Sequence, residues 1–91
     1  MHAWRNQIMI MKIYSIKDTL GNFGAPLTFT DEANALRTFQ AICRQKKERE
    51  YTDAKYFNLW EIGTYDTEKG TIVGYNESQL KLIKEGEQYD E

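Results

Sequence analysis

Cysteine, proline and histidine are almost absent from the chain, since each occurs once, as Cys43, Pro26 and His2. A single cysteine excludes an intramolecular disulfide and a cysteine-rich zinc site. A single histidine beside the terminus nearly excludes histidine-based triads and metal clusters. The longest apolar run, residues 8–11, has four residues, whereas a membrane-spanning helix needs about 20, and the first seven residues lack the apolar block of a signal peptide. These absences favour a cytoplasmic, cofactor-free and non-catalytic protein.

The chain has the size and composition of one small globular domain. It has 91 residues and a mass of 10.7 kDa, with 41% hydrophobic and 29% charged residues. At this length folding hides only about 60–65% of the surface of the unfolded chain, so the core is thin. A second copy would add buried surface, and we therefore expect a homodimer.

Charge is distributed unevenly around a net value of −2. Residues 85–91 contain four acids and no base, and the preceding residues 1–84 carry 12 bases and 10 acids, a balance of +2. This pattern predicts a single domain over residues 11–84, followed by an acidic mobile tail at residues 85–91. Residues 1–10 are an N-terminal extension that could prolong the first strand.

The first half of the chain predicts a strand, a loop and a helix. Residues 8–17 alternate around β-branched and aromatic side chains on two partly apolar faces, which is typical of a central strand. Residues 21–26 contain two glycines and the proline and predict an irregular loop. Thr30 is the expected N-cap of the helix, with Asp31 and Glu32 in its first turn. One apolar stripe follows the helix, formed by Ala35, Leu36, Phe39, Ile42 and Cys43.

The second half predicts a hairpin and a short helix. Residues 55–65 and 71–75 are the expected strands, and residues 66–70 form a loop in which an aspartate braces the turn and a glycine supplies a positive φ. Asn76 is the expected cap of a helix over residues 77–84. The order predicts an α+β fold, a small β-α-β-β domain with a mainly antiparallel three-stranded sheet, one helix across a face and a short C-terminal helix. The first two strands could be parallel or antiparallel.

Basic residues on the helix form one half of a candidate nucleic-acid site. They are Arg37, Arg44, Lys46, Lys47 and Arg49. Lysine and arginine clustered at one helix end are the minimum electrostatic footprint for binding phosphates. The alternative is a solvated helix end whose cations suit the helix dipole.

Tyr56, Trp60 and Tyr65, which the pattern places on the second strand, form the other half. Aromatic side chains on an exposed sheet face can stack on bases, each contributing ~1–3 kcal/mol. Strand alternation predicts two apolar faces, one with Tyr56, Trp60 and Ile62 and the other with Phe57, Leu59 and Tyr65. One helix covers only one face, so the other remains for a second copy, a partner protein or a nucleic acid, and we expect the second copy first.

Two further residues have mainly structural interpretations. Glu61 lies in the second strand without a second carboxylate or a histidine at matching spacing, so we expect a surface or interface charge. Cys43 ends the apolar stripe of the helix and is expected as a small core residue.

Three segments carry a resemblance to a known family: MKIYSIKD at residues 11–18, DEANALRTF at residues 31–39 and LWEIGTYD at residues 59–66. In this order, and with GTI at residues 70–72, they resemble the small nonstructural protein of gokushoviruses, the Microviridae single-stranded-DNA phages of bacteria, which is the phage open-reading-frame-five family. The resemblance implies a phage protein made in the host bacterial cytoplasm. It also implies DNA binding or a role in single-stranded genome synthesis, and no catalytic motif.

These observations favour a non-catalytic protein that binds nucleic acid, most simply single-stranded DNA, in support of viral genome synthesis. The alternative is a protein–protein interaction module that binds a host or viral partner through the uncovered sheet face. An enzyme is disfavoured because the sequence has no paired carboxylates, no Gly-rich phosphate loop and no metal cluster.

Overall fold

The computed structural model describes residues 10–49 and 54–86, and the chain folds there as an α+β domain. The described residues form one α-helix and five strands: β1 (Ile10–Asp18), β2 (Leu27–Phe29), α1 (Glu32–Arg49), β3 (Phe57–Asp66), β4 (Thr71–Gly74) and β5 (Lys81–Glu85). The sheet order is β2-β1-β3-β4, with β5 also pairing with β3, and every pairing is antiparallel. The α+β class and the central position of β1 are therefore confirmed, although the sheet has two more strands than predicted.

The helix begins one residue later than expected. The carboxylate of Asp31 accepts hydrogen bonds from the backbone N–H of Asn34 at 2.8 Å and from its side-chain amide at 3.2 Å. Asp31 therefore caps the helix, and the prediction of Thr30 as the N-cap was wrong by one position. Asp31 satisfies one of the backbone N–H groups that the first turn leaves without an intrahelical partner.

The hairpin between β3 and β4 is confirmed. The Asp66 carboxylate accepts the backbone N–H groups of Glu68 and Lys69, at 2.9 and 3.1 Å. Gly70 has a φ of 70°, a conformation that glycine adopts without steric penalty. Local residues thus determine this turn.

The predicted C-terminal helix is replaced by a strand. Asn76 does begin a helical turn, and its backbone N–H donates to the Gln79 side chain at 3.1 Å. The turn ends after three residues, Glu77–Gln79, and β5 follows. Because β4 pairs only with the second half of β3, the first half would expose unpaired backbone groups, and β5 pairs with Asn58 to Glu61 there.

Helix α1 packs across one face of the sheet. The core contains Ala35, Phe39 and Cys43 from the helix and Tyr14 and Leu59 from the central strands, each at most 1% exposed. This arrangement confirms the apolar stripe and the core position of Cys43. Burial raises the pKa of the Cys43 thiol to about 11. Among the helical segments of residues 10–49 and 54–86, none combines the length and apolar character needed to cross a bilayer.

A β-bulge in β3 changes which aromatic residues share a face. Between the pairs Ile13–Gly63 and Tyr14–Glu61, the strand contains one extra residue, Ile62. Trp60 and Tyr65 are five residues apart, which in a regular strand would place them on opposite faces. The bulge brings them to the same face, because they pair with Ser15 and Met11, which lie four residues apart on β1.

We call the face opposite α1 the uncovered face. Cross-strand rows define it: Met11–Tyr65–Ile72, Ile13–Gly63–Gly74, Ser15–Trp60–Leu82 and Lys17–Asn58–Glu85. The name means that α1 does not lie over this face; Ile13 and Ser15 are nevertheless buried on it, at 6% and 0% exposed. The predicted grouping of Tyr65 with Phe57 and Leu59 was therefore wrong, since those two residues pack on the helix side. Tyr56 precedes β3 in a short helical turn, Ala54–Tyr56, and belongs to neither face.

Candidate nucleic-acid interface

The basic residues of α1 point in different directions. By helical spacing, Lys46 lies on the same side as the buried stripe, and its Nζ lies 5.5 Å from the centre of the Phe57 ring. Arg37 and Arg44 are exposed on the side of α1 that points away from the sheet. Lys47 is exposed on the flank of the helix, between that side and the buried side. The backbone of Arg49 ends α1, whereas its side chain lies outside the described part of the chain.

The predicted aromatic residues are also divided. Tyr56 is 37% exposed beside the start of β3, with the Lys55 Nζ 5.5 Å from its ring centre. Trp60 packs edge-to-face against Phe23, with 6.2 Å between ring centroids, on the uncovered face that it shares with Tyr65. The sheet therefore separates Trp60 and Tyr65 from the basic helix, and the predicted site is not one continuous surface.

At one end of the sheet, however, three lysines each lie over an aromatic ring. The pairs are Lys46 with Phe57 at 5.5 Å, Lys55 with Tyr56 at 5.5 Å and Lys17 with Phe23 at 5.7 Å. We call these six residues the lysine–aromatic end. A cation within about 6 Å of a ring centroid is attracted to the ring face, which holds the lysine in a preferred position.

Sheet pairing explains why these three lysine–ring pairs lie at the same end of the domain. β1 ends where β3 begins, since Asp18 pairs with Phe57 and the backbone N–H of Thr19 donates to the Tyr56 carbonyl at 2.8 Å. The segment after β1 turns back so that Phe23 pairs with Lys17. Antiparallel topology thus places the end of β1, the start of β3 and the last turns of α1 at one end of the domain.

A cavity of about 340 Å³ opens at this end on the helix side of the sheet. Its walls come from β1, the following loop, β2, α1 and β3: Ile16, Asp18, Asn22, Gly24, Ala25, Leu27, Ile42, Lys46 and Phe57. The volume lies at the lower end of the range for small-ligand sites, roughly 300–1,000 Å³. Lys46 contributes a cation to the wall and Asp18 an anion, whose carboxylate accepts the backbone N–H of Leu20 at 2.9 Å.

Sequence reasoning missed four members of this site: Lys17, Phe23, Lys55 and Phe57. Lys55 is adjacent to Tyr56, and this dipeptide was the one local signal available. The contact between Lys17 and Phe23 depends on a bridge between segments that are six residues apart. No periodicity in the sequence encodes that bridge.

Glu61 is buried rather than a surface or interface charge, which corrects the prediction. It is 6% exposed on the helix side of the sheet, where the Tyr75 hydroxyl donates to it at 2.5 Å and the Lys12 Nζ lies at 3.5 Å. The hydrogen bond to Glu61, together with burial, raises the pKa of Tyr75 to about 12. Burial, and then the charge of Glu61, raises the pKa of Tyr14 to about 12. These contacts describe a satisfied buried carboxylate with two neutral phenols beside it.

Elsewhere in residues 10–49 and 54–86, His, Cys, Asp and Glu side chains do not form a group of three that could hold a metal ion. The candidate site of the described residues is the lysine–aromatic end with its cavity, because it gathers three lysine–ring pairs beside a concave surface.

Comparison with known proteins identifies the family of the chain. No curated protein and no solved structure matches it. A family model described as Phage ORF5 protein matches residues 11–89. The match begins at Met11, where the resemblance drawn from the sequence also begins, and it extends over most of the chain. The open-reading-frame-five family inferred from the sequence is thereby confirmed, and the chain belongs to the phage ORF5 protein family.

Proposed function

We propose that the protein binds single-stranded nucleic acid at the lysine–aromatic end, in support of genome synthesis by a single-stranded-DNA phage of the gokushovirus type in the host cytoplasm. The observation that carries the proposal is the gathering of three lysine–ring pairs at one end of the sheet. A single strand presents phosphates and unstacked bases in alternation, so a site that combines cations with rings can bind both. The proposal assigns the protein no catalytic activity.

The helix side of this end offers the most complete set of contacts. Lys46 and Phe57 both line the cavity, with the Lys46 Nζ 5.5 Å from the ring centre, so a phosphate near this ammonium group would place the adjoining base at the cavity mouth. Arg44 and Lys47 extend the positive charge along the last turns of α1. Lysines and ring faces do not read base edges, so we expect little sequence preference.

The direct test is fluorescence anisotropy of a labelled oligothymidylate titrated with the protein at low and near-physiological salt. Three lysine–phosphate contacts on a single strand predict a slope of log K against log salt of about −2. The double variant Lys46→Glu/Lys55→Glu should abolish measurable binding. Lys69→Glu is the control for the single variants Lys46→Glu and Lys55→Glu, because each reverses one charge and Lys69 is exposed in the β3–β4 turn at the opposite end of the sheet.

Absence of binding at low salt would overturn the proposal. Equal weakening by Lys69→Glu and by either single variant, Lys46→Glu or Lys55→Glu, would do the same, because it would show non-specific attraction to any cation. Circular dichroism of each variant establishes that the fold is retained.

A change that strengthens binding gives a sharper test than loss alone. Asp18→Asn removes the anion from the cavity wall and keeps an oxygen that can accept the Leu20 N–H. Because a phosphate at Lys46 would then meet less repulsion, the affinity should rise by about threefold at low salt. Unchanged or weaker binding would exclude the cavity side of the lysine–aromatic end from the site.

A second candidate function is protein–protein interaction through the uncovered face. The observation that favours it is the exposure of Ile72 and Leu82, at 68% and 41%, on that face. This function predicts a partner whose binding is insensitive to salt and is lost on Trp60→Ala, with no dependence on Lys46 or Lys55.

A further inference from the structure

The uncovered face combines apolar rows with one row of balanced charge. The other apolar residues in the rows through Tyr65 and Trp60 are Met11, Ile72 and Leu82. The Phe23 ring packs against Trp60 and is 39% exposed. In contrast, the helix-side face is packed against α1. Within residues 10–49 and 54–86, α1 is the only α-helix, so the described elements supply no second helical layer for the other face.

We propose that the uncovered face docks a second copy of this chain and that the protein is a homodimer built sheet to sheet. The dimer face and the lysine–aromatic end share Lys17 and Phe23 at one end of the sheet, whereas Tyr65 and Ile72 lie toward the opposite end and belong to the dimer face alone.

The size of the face suits a dimer. The five strands β1 to β5 contain 9, 3, 10, 4 and 5 residues. At ~3.3 Å per residue and ~4.8 Å per strand, they span roughly 490 Å² in each copy. Two copies give roughly 1,000 Å², which is the lower limit for a specific interface.

The charge of the face favours a second copy over a nucleic acid. Its cross-strand rows contain one cation and one anion, Lys17 and Glu85, which both pair with Asn58 at one end. A face with balanced charge does not repel an identical face, and two-fold symmetry brings each patch against its own copy. Of the three lysines of the lysine–aromatic end only Lys17 lies on this face, and one lysine is too little to bind a strand of phosphates without the other two.

Two neighbouring residues of β4 provide a matched pair of variants. Ile72 pairs with Tyr65 on the uncovered face and Val73 pairs with Thr64 on the helix side, and they are 68% and 60% exposed. Replacing either by lysine adds the same charge to the same exposed strand, so their effects on folding should be alike. Only Ile72→Lys places a cation inside the proposed interface, once in each copy.

The experiment is sedimentation velocity with light scattering, over a wide range of protein concentration, on the wild type and both variants. The wild type should pass from the 10.7 kDa monomer toward twice that mass. Val73→Lys should behave like the wild type, whereas Ile72→Lys should raise the dimer dissociation constant by ~100-fold. Leu82→Lys, on the Trp60 row, should weaken the dimer in the same way.

Three results would overturn the proposal. A wild type that stays monomeric at the highest concentration would show that no second copy occupies the face. Dimers that survive both Ile72→Lys and Leu82→Lys would place the interface elsewhere. Equal loss in Ile72→Lys and Val73→Lys would show that charge on β4, rather than the uncovered face, controls association. Oligonucleotide binding, measured separately by anisotropy, should be retained by Ile72→Lys.

Discussion

Replacing Tyr75 by phenylalanine tests the buried carboxylate of Glu61. The Tyr75 hydroxyl donates to Glu61 at 2.5 Å, and the Glu61 side chain is 8% exposed. Tyr75→Phe removes this donor without changing the size of the ring. The carboxylate then retains the Lys12 ammonium at 3.5 Å, whose own side chain is 45% exposed and well hydrated.

The expected loss follows from the charge of the acceptor. A hydrogen bond to a charged group contributes about 1.5–3 kcal/mol to the free energy of unfolding, compared with about 0.5–1.5 kcal/mol for a neutral pair. Tyr75→Phe should therefore destabilise the protein by about 2 kcal/mol. For a domain of this length that loss lowers Tm by roughly 10 °C.

The assay is urea denaturation followed by far-UV circular dichroism, with the slope m compared between variants. Glu61→Gln provides the matched background, because the amide occupies the same volume without a charge. In that background Tyr75→Phe should cost only about 1 kcal/mol, which is the neutral value. Equal losses in the two backgrounds, or a loss below about 0.5 kcal/mol in the wild type, would refute the reasoning that Glu61 is an ionised group held by Tyr75.

Three other measurements test the raised tyrosine pKa values, the close backbone contact at Gly63 and the burial of Cys43. Because the pKa values of Tyr14 and Tyr75 are raised from 10.0 to about 12, the folded state keeps protons that the unfolded state releases, so stability should hold below pH 10 and fall as the pH rises toward 12. Urea denaturation at stepped pH checks this, and a flat curve in that window would contradict it. Gly63→Ala would place a Cβ 2.5 Å from the carbonyl oxygen of Val73, so the β3–β4 pairing must shift. The free energy of unfolding should fall by about 1–3 kcal/mol, which a lower Tm would show. Cys43 is 1% exposed, and the pKa of its thiol is raised to about 11. The thiol should therefore react with a disulfide reagent only when the protein unfolds, at a rate that increases with urea concentration. Rapid labelling in buffer without urea would contradict its core position.

The sequence predicted some residues of the candidate site but not which of them share a surface. Lys46 and Tyr56 were proposed from helical and strand patterns, and both belong to the lysine–aromatic end. Trp60 and Tyr65 were proposed with them but lie across the sheet. Whether two side chains share a surface depends on which face of each element is covered, and a one-residue bulge at Ile62 was enough to move Tyr65.

Features that depend on near neighbours in the chain follow from the sequence alone: the helix start around Asp31, the β3–β4 turn at Asp66 and Gly70, and the first turn after Asn76. Their hydrogen bonds join residues that are two to four positions apart, so residue type alone sets them. Two other features follow only from tertiary contacts: the chain after Asn76 continues as a strand, and the basic helix and Trp60 lie on opposite sides of the sheet. Those outcomes depend on unpaired backbone groups of β3 and on the packing of α1, which join residues far apart in the sequence.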